Sequence, residues 1–270
     1  MAALKLAFAS DLNLTVTSVD ALTALARKIA AATPSAVILA GDLAESLQDF
    51  TRVVQLFRRE LTCPLWIVPG DVDFWARPPY DSTLLWKTLL PRAVADCGAL
   101  WLEGKAQVLE GVAIAGSIGW YDYSAAGMAG MVSDPEFAQK KYLYNADALR
   151  IDWEYSDPEF AGIVSAGLLA TLDHLQQDPF VQQIVVATHF PLLEQQLNRQ
   201  ANKGFACAYS ANLTLGKKVL GYSKLTHLVS GHLRQERQGT VLRDDLPPVT
   251  YHVLPGDPER PSWLELTLDS

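Results

Sequence analysis

The chain has 270 residues, 49% of them apolar and 9% aromatic, a balance that supports a sizeable globular core and excludes a disordered or low-complexity polymer. Its 30 Asp and Glu outnumber 22 Lys and Arg, and the resulting net charge of −8 argues against a nucleic-acid backbone or an anionic membrane surface as the main partner. No apolar run approaches the roughly 20 residues that span a bilayer, and Cys63, Cys97 and Cys207 lack CxxC spacing, as expected of reduced thiols in a cytoplasmic protein.

The opening "MAALKLAFASDLNL" is too strand-like and too short in its apolar part for a secretory signal, and "KLAFAS" is predicted as a strand. Residues 18–32 are predicted as a helix opened by a Ser or Asp cap, "SAVILAG" as a buried strand, residues 44–60 as a second helix and "PLWIVPG" as a third strand. The Gly-separated runs "ALWLEG", "AQVLEG" and "VAIAGSIGW" suggest a meander. Residues 120–160, rich in aromatics and charges, suggest an excursion over one face of the sheet. "AGIVSAGLLATLDHLQQ" follows as a helix and "QQIVVATHF" as a buried strand. A short helix at about 211–221 precedes the strands "THLVSGH", "PPVTYHVLP" and "SWLELTLD". No repeat or linker-like break divides the chain, so residues 1–270 are expected to form a single α/β domain, with a mixed sandwich favoured over a plain doubly wound sheet.

Five buried strands end in a residue able to bind a metal: Asp11, Asp42, Asp71, His189 and His232. Functional groups gather at the carboxyl ends of strands in α/β sheets. Three carboxylates converging there repel one another unless a cation neutralises them. With two imidazoles the set suits manganese, iron or zinc. One such tip is commonly a turn or cap residue; five in one chain point to a metal centre.

The order of "SDLN", "AGD", "PGDVD", "THFP" and "SGHLR", from residue 9 to about 234, resembles the calcineurin-like metallophosphoesterase superfamily. That family's pattern is DxH, GDxx, GNH followed by Asp or Glu, a lone His, and GHxH. "GWYDYS" with the later "DWEYSDPEF" is similar to one bacterial branch. The resemblance implies a four-layer α/β/β/α sandwich of two mixed sheets, two metal ions and hydrolysis of phosphomonoesters or phosphodiesters.

The departures cluster. Asn13 stands where the family has the His of DxH, Asp71 where it has the Asn of GNH, Val72 where it has the His of GNH, and Arg234 where it has the last His of GHxH. By resemblance the first metal position keeps Asp11 and Asp42 but loses both imidazoles. Asn13 offers only a weak carbonyl oxygen, and Arg234 cannot bind a cation. The second position keeps Asp42, Asp71, His189 and His232, which implies one divalent transition metal (manganese, iron or zinc) or none.

Val72 can neither donate a proton nor bind developing charge. The remaining candidates around the reaction centre are Asp11, Asn13, Asp73 and Arg234. Asp73 matches the acidic residue after GNH, with structural and functional roles equally open. Arg234 is expected to pair with Asp11 in place of the missing ion and to offer a donor to phosphate. His174, His227 and His252 match no motif position. "QKK" at 139–141 is expected as a solvated face, and Trp75, Trp120, Tyr121 and Trp153 as packing or pocket rim.

The expected function is that of a metal-dependent phosphoesterase-like protein with at most weak hydrolysis of a phosphomonoester or phosphodiester. The alternative is an inactive member acting as a ligand-binding or protein-interaction scaffold. The expected partner is a small phosphorylated ligand, joined by a protein if turnover is absent, with no nucleic acid and no membrane.

Overall fold

Strands as apolar as "AVILA" need cover on both faces. The computed structural model describes residues 3–268 apart from 129, 200–203 and 234, and supplies that cover with two facing sheets. The strands are β1 (Leu4–Ala9), β2 (Ala36–Ala40), β3 (Leu65–Val68), β4 (Leu100–Trp101), β5 (Lys105–Leu109), β6 (Val112–Ser117), β7 (Gln183–Thr188), β8 (Leu225–Ser230), β9 (Arg237–Val241), β10 (Val249–Val253) and β11 (Leu264–Leu268). One sheet has the order β11-β1-β2-β3-β4, with β1 to β4 parallel and β11 antiparallel at the edge. The other has the order β5-β6-β7-β8-β10-β9, parallel through β6, β7, β8 and β10, with antiparallel edges β5 and β9.

Side chains of alternate strand positions divide between two environments. Leu6, Phe8, Ile38 and Val68 meet Ile114, Val185 and Val229 in the layer between the sheets. On the outer face of the first sheet, Ala7, Val37 and Leu39 pack under Leu22, Phe50 and Phe57 of the helices Val19–Ala31 and Leu47–Glu60. On the outer face of the second, Ala113, Val186 and Leu228 pack under Leu168, Leu172 and Val219 of the helices Asp157–Gln177 and Leu213–Val219. The layers are therefore α/β/β/α, as the motif order implied. Among the described residues no helix is long and apolar enough to cross a membrane.

Ser18 caps the first helix by accepting the Ala21 N–H at 3.1 Å. The second helix begins at Leu47, later than the periodicity suggested, because Ser46 is its cap and accepts the Asp49 N–H at 3.2 Å. The helix Asp157–Gln177 begins earlier than predicted, at a capping box between Ser156 and Glu159. The predicted meander is corrected. β4 pairs with β3 in one sheet, while β5 and β6 form a hairpin in the other. The chain crosses between sheets at Leu102–Gly104, where Leu102 N–H donates to Ile67 O and Gly104 N–H to Gly116 O. β9, unpredicted, is a half-polar edge strand without the apolar alternation that marks a covered one.

Residues 120–160 carry the helices Asp134–Tyr144 and Asp147–Arg150. Here "QKK" is a solvated face only in part, with Gln139 exposed and Lys141 turned inward. Lys141 is buried, its Nζ 2.8 Å from Asp157 Oδ1 and 5.0 Å from the Tyr121 ring centroid. Asp157 also accepts Trp120 Nε1–H at 3.0 Å and Tyr123 O–H at 2.7 Å. Removing one member of a buried ion pair strands the other charge. Lys141→Ala is expected to lower unfolding free energy by about 3–5 kcal/mol, read from urea denaturation, with the Lys141→Met, Asp157→Asn double variant losing less.

Candidate metal centre

β1, β2 and β3 are parallel neighbours, as are β7 and β8, so the five predicted tips emerge at the same ends of their sheets. Three turn sharply as they leave the strand: Asp11, Asp42 and His232 have φ of 55°, 57° and 66°, the left-handed region that L-residues rarely occupy. Such strain of about 1–3 kcal/mol per residue collects at functional sites. The turns are packed so closely that glycine is required beside these residues. A Cβ on Gly70 would stand 2.2 Å from Asp42 Oδ1, and one on Gly231 would stand 1.8 Å from Ser10 Oγ.

His189 organises the centre. It is fully buried, and its Nδ1 lies 2.9 Å from the Ala40 carbonyl, which can only accept; Nδ1 therefore carries the proton. Nε2 then faces Asp71 Oδ1 at 2.9 Å and Asp42 Oδ1 at 3.4 Å. A lone pair opposite two carboxylates is attractive only through a proton or a cation. Burial works against a charged imidazole, yet Asp42 and Asp71 outweigh it and hold His189 well above its ordinary value. Burial, then Asp71, drives Asp42 well above the usual carboxylate range. Asp71 moves the other way: hydrogen bonds from His189 and His232 overcome burial and hold it below that range. His232 Nδ1 is 3.5 Å from Asp71 Oδ1.

Asp11 joins the cluster from β1. Its Oδ2 accepts Ser10 Oγ–H at 2.5 Å and His232 N–H at 3.0 Å, while its buried Oδ1 has no hydrogen-bond partner among the described residues. Two groups result, Asp71 with His189 and His232, and Asp11 with Asp42 and His189, each offering ligand atoms within 4.8 Å of one another. An unpartnered buried carboxylate oxygen and a carboxylate forced toward protonation both mark a shortage of positive charge, so this donor set fits a divalent cation. The oxygen and imidazole donors suit manganese, iron or zinc alike.

The four predicted metal ligands thus come together, and Asp11 with them. Asn13 lies against Asp42 through its backbone, donating N–H to Asp42 O at 2.9 Å; its side-chain Nδ2 is buried without a partner among the described residues. Asp73 turns both oxygens to backbone amides, accepting from Gly70 (2.8 Å), Asp42 (3.1 Å), Leu43 (2.7 Å) and Ala44 (3.1 Å). Of its two roles the geometry favours the structural one. Burial raises Asp73 to about 6 against the pull of those amides. Val72 is 7% exposed beside the cluster, and its N–H donates to Asp42 Oδ1 at 3.1 Å. Arg234, and with it the predicted pair with Asp11, lies outside the described residues.

Sequence reasoning missed Ser10 and Asp147. Asp147 is 1% exposed and accepts Trp75 Nε1–H at 2.8 Å and Tyr121 O–H at 2.9 Å. Burial, then the Asp71 charge, raises it to about 7. No local pattern announces it, because both partners are distant in sequence. Trp120 and Tyr121 are fully buried packing residues, whereas Trp75 borders a cavity of about 420 Å³ that opens onto Asp42, Asp71 and His232. His227 and His252 stack across β8 and β10, with ring centroids 6.1 Å apart.

The sequence model of the calcineurin-like phosphoesterase family matches residues 4–235. Among solved structures, phosphopantetheinyl hydrolase (PptH) from Mycobacterium tuberculosis is similar at a TM-score of 0.70 and 22% identity, covering 94% of this chain and 90% of that one. A dimetal phosphatase from Danio rerio is similar at 0.57 and 15%, covering 98% and 92%. Purple acid phosphatase PPD1 from yellow lupin is similar at 0.51 and 11%, covering 94% of this chain and 44% of that one. At these identities the structures establish a shared fold. A comparison with curated proteins finds no match.

Proposed function

Because the chain belongs to the calcineurin-like phosphoesterase family, whose members depend on metal, we propose that it binds one divalent transition metal through Asp42, Asp71, His189 and His232 and acts on a phosphoester slowly. The observation that carries this reading is His189, held by the Ala40 carbonyl with its free nitrogen toward Asp42 and Asp71. A carbonyl on the far nitrogen is how ligating imidazoles are oriented. The bound cation supplies Lewis-acid polarisation of a phosphoryl oxygen. The protein's own residues do the rest: Val72 N–H fixes Asp42 Oδ1, Asp73 fixes the backbone of both carboxylate turns, and the cavity receives the ester.

Slow turnover follows from Val72. Its side chain borders the cavity and has no proton for a leaving oxygen. Lacking one such group commonly costs on the order of 10²–10⁴ in rate. A ligand-binding protein without turnover is the second reading, favoured by that same residue. Metal analysis of protein purified without chelators is expected to give close to one transition-metal ion per chain. Hydrolysis of bis(p-nitrophenyl) phosphate with added manganese is expected near background. Two ions per chain would replace the one-metal reading, and robust hydrolysis abolished by His189→Ala would overturn the slow one.

A further inference from the structure

Trp75 stands apart from the aromatic cluster around Phe160. Trp86, Trp120 and Trp153 each pack edge-on or tilted against Phe160, whereas Trp75 meets no aromatic ring among the described residues. It is half-buried, held by its Nε1–H on Asp147 Oδ1 at 2.8 Å, with the Arg150 guanidinium 5.3 Å from its ring centroid. Asp147 is itself anchored by Tyr121, so the hold on Trp75 is rigid. The Arg150 guanidinium lies over the ring, and the indole surface that borders the cavity is apolar area on which a flat group can pack.

The other walls match it. Tyr209 backs the cavity, its ring buried edge-on against Tyr121 and Tyr123 and its hydroxyl donating to Phe137 O at 2.7 Å, while the exposed Tyr144 borders the cavity stacked on Phe205 at 6.1 Å. The opposite end is the ligand cluster, Asp42, Asp71 and His232. One end thus suits a phosphate on a cation, and the walls beside it suit a flat ring. We infer that this cavity takes a phosphate ester carrying a planar aromatic group, and that Trp75 is the residue that selects it. The inference rests on the metal-site reading above and adds the ligand class.

The test is calorimetric titration of the metal-loaded full chain with inorganic phosphate, methyl phosphate, phenyl phosphate and adenosine 5′-monophosphate. Phenyl phosphate or the nucleotide is expected to bind roughly tenfold more tightly than methyl phosphate, the scale of one aromatic stacking contact. Preference for phenyl phosphate places the ring directly on the ester, and preference for the nucleotide places it one sugar away. Trp75→Ala is expected to erase the preference while metal content and inorganic phosphate affinity stay unchanged. Trp75→Phe is expected to restore part of it, which a merely structural role would not do. Equal wild-type affinities for the aromatic and methyl esters, with inorganic phosphate still bound, would overturn the inference alone. So would a preference that survives in Trp75→Ala. Failure of the wild type to bind either metal or inorganic phosphate would overturn the metal-site reading and the inference with it. The wild-type ratio decides even if Trp75→Ala does not fold.

Discussion

His189→Ala is expected to abolish stoichiometric transition-metal binding. The imidazole contacts both Asp42 and Asp71 and belongs to both ligand groups, so no arrangement of the remaining donors avoids its loss. Residues that merely orient a ligand commonly cost 10–100-fold in metal affinity, so removing the ligand itself is expected to cost more than about 100-fold. The sign with pH follows from the same contacts. Metal displaces a proton from His189, raised above its ordinary value, and from Asp42, raised well above the carboxylate range, so affinity falls as pH falls. Calorimetric titration of manganese and zinc at two pH values checks both statements. Metal binding by His189→Ala within threefold of the wild type would remove His189 from the ligand set.

Asp73→Ala is expected to be among the most destabilising single changes in the molecule. It deprives Gly70, Asp42, Leu43 and Ala44 of the acceptor for their N–H groups in a buried setting. Each stranded donor costs about 1–3 kcal/mol, and since such losses do not simply add, a total on the order of 4 kcal/mol is expected. That is a large share of the roughly 5–15 kcal/mol that holds a domain folded. Asp73→Asn keeps the shape but turns an NH₂ toward backbone donors, so it is expected to recover only part of the loss. Urea denaturation checks this. A variant as stable as the wild type but impaired in phosphate handling would return Asp73 to the reaction centre.

The gathering of Asp11, Asp42, Asp71, His189 and His232 was legible in the sequence because its signal is local. Each of these residues follows an apolar run whose buried character is written in consecutive residues, whereas the left-handed turns at Asp11, Asp42 and His232 emerged only in the structure. The same local logic exposed Val72 as an apolar residue in a polar motif. What tertiary structure decided was pairing. "ALWLEG" and "AQVLEG" look alike as short strands, yet β4 and β5 belong to different sheets, since register depends on which neighbour offers free backbone groups.

Side-chain roles divided along the same line. Asp73 sits one residue past Val72 in the site loop, and only the approach of the β2 turn adds the amides of Asp42, Leu43 and Ala44 to that of Gly70 in its own loop. Lys141 looks like a surface lysine until Asp157, sixteen positions away, meets it in a pocket of rings. Asp147 holds Trp75 across 72 positions. A single chain reports which residues could carry charge or bind metal, because that is a property of the residue and its immediate strand. Which charges are buried, paired or turned toward backbone is a property of the space between elements, and that space exists only once the sheets have closed on each other.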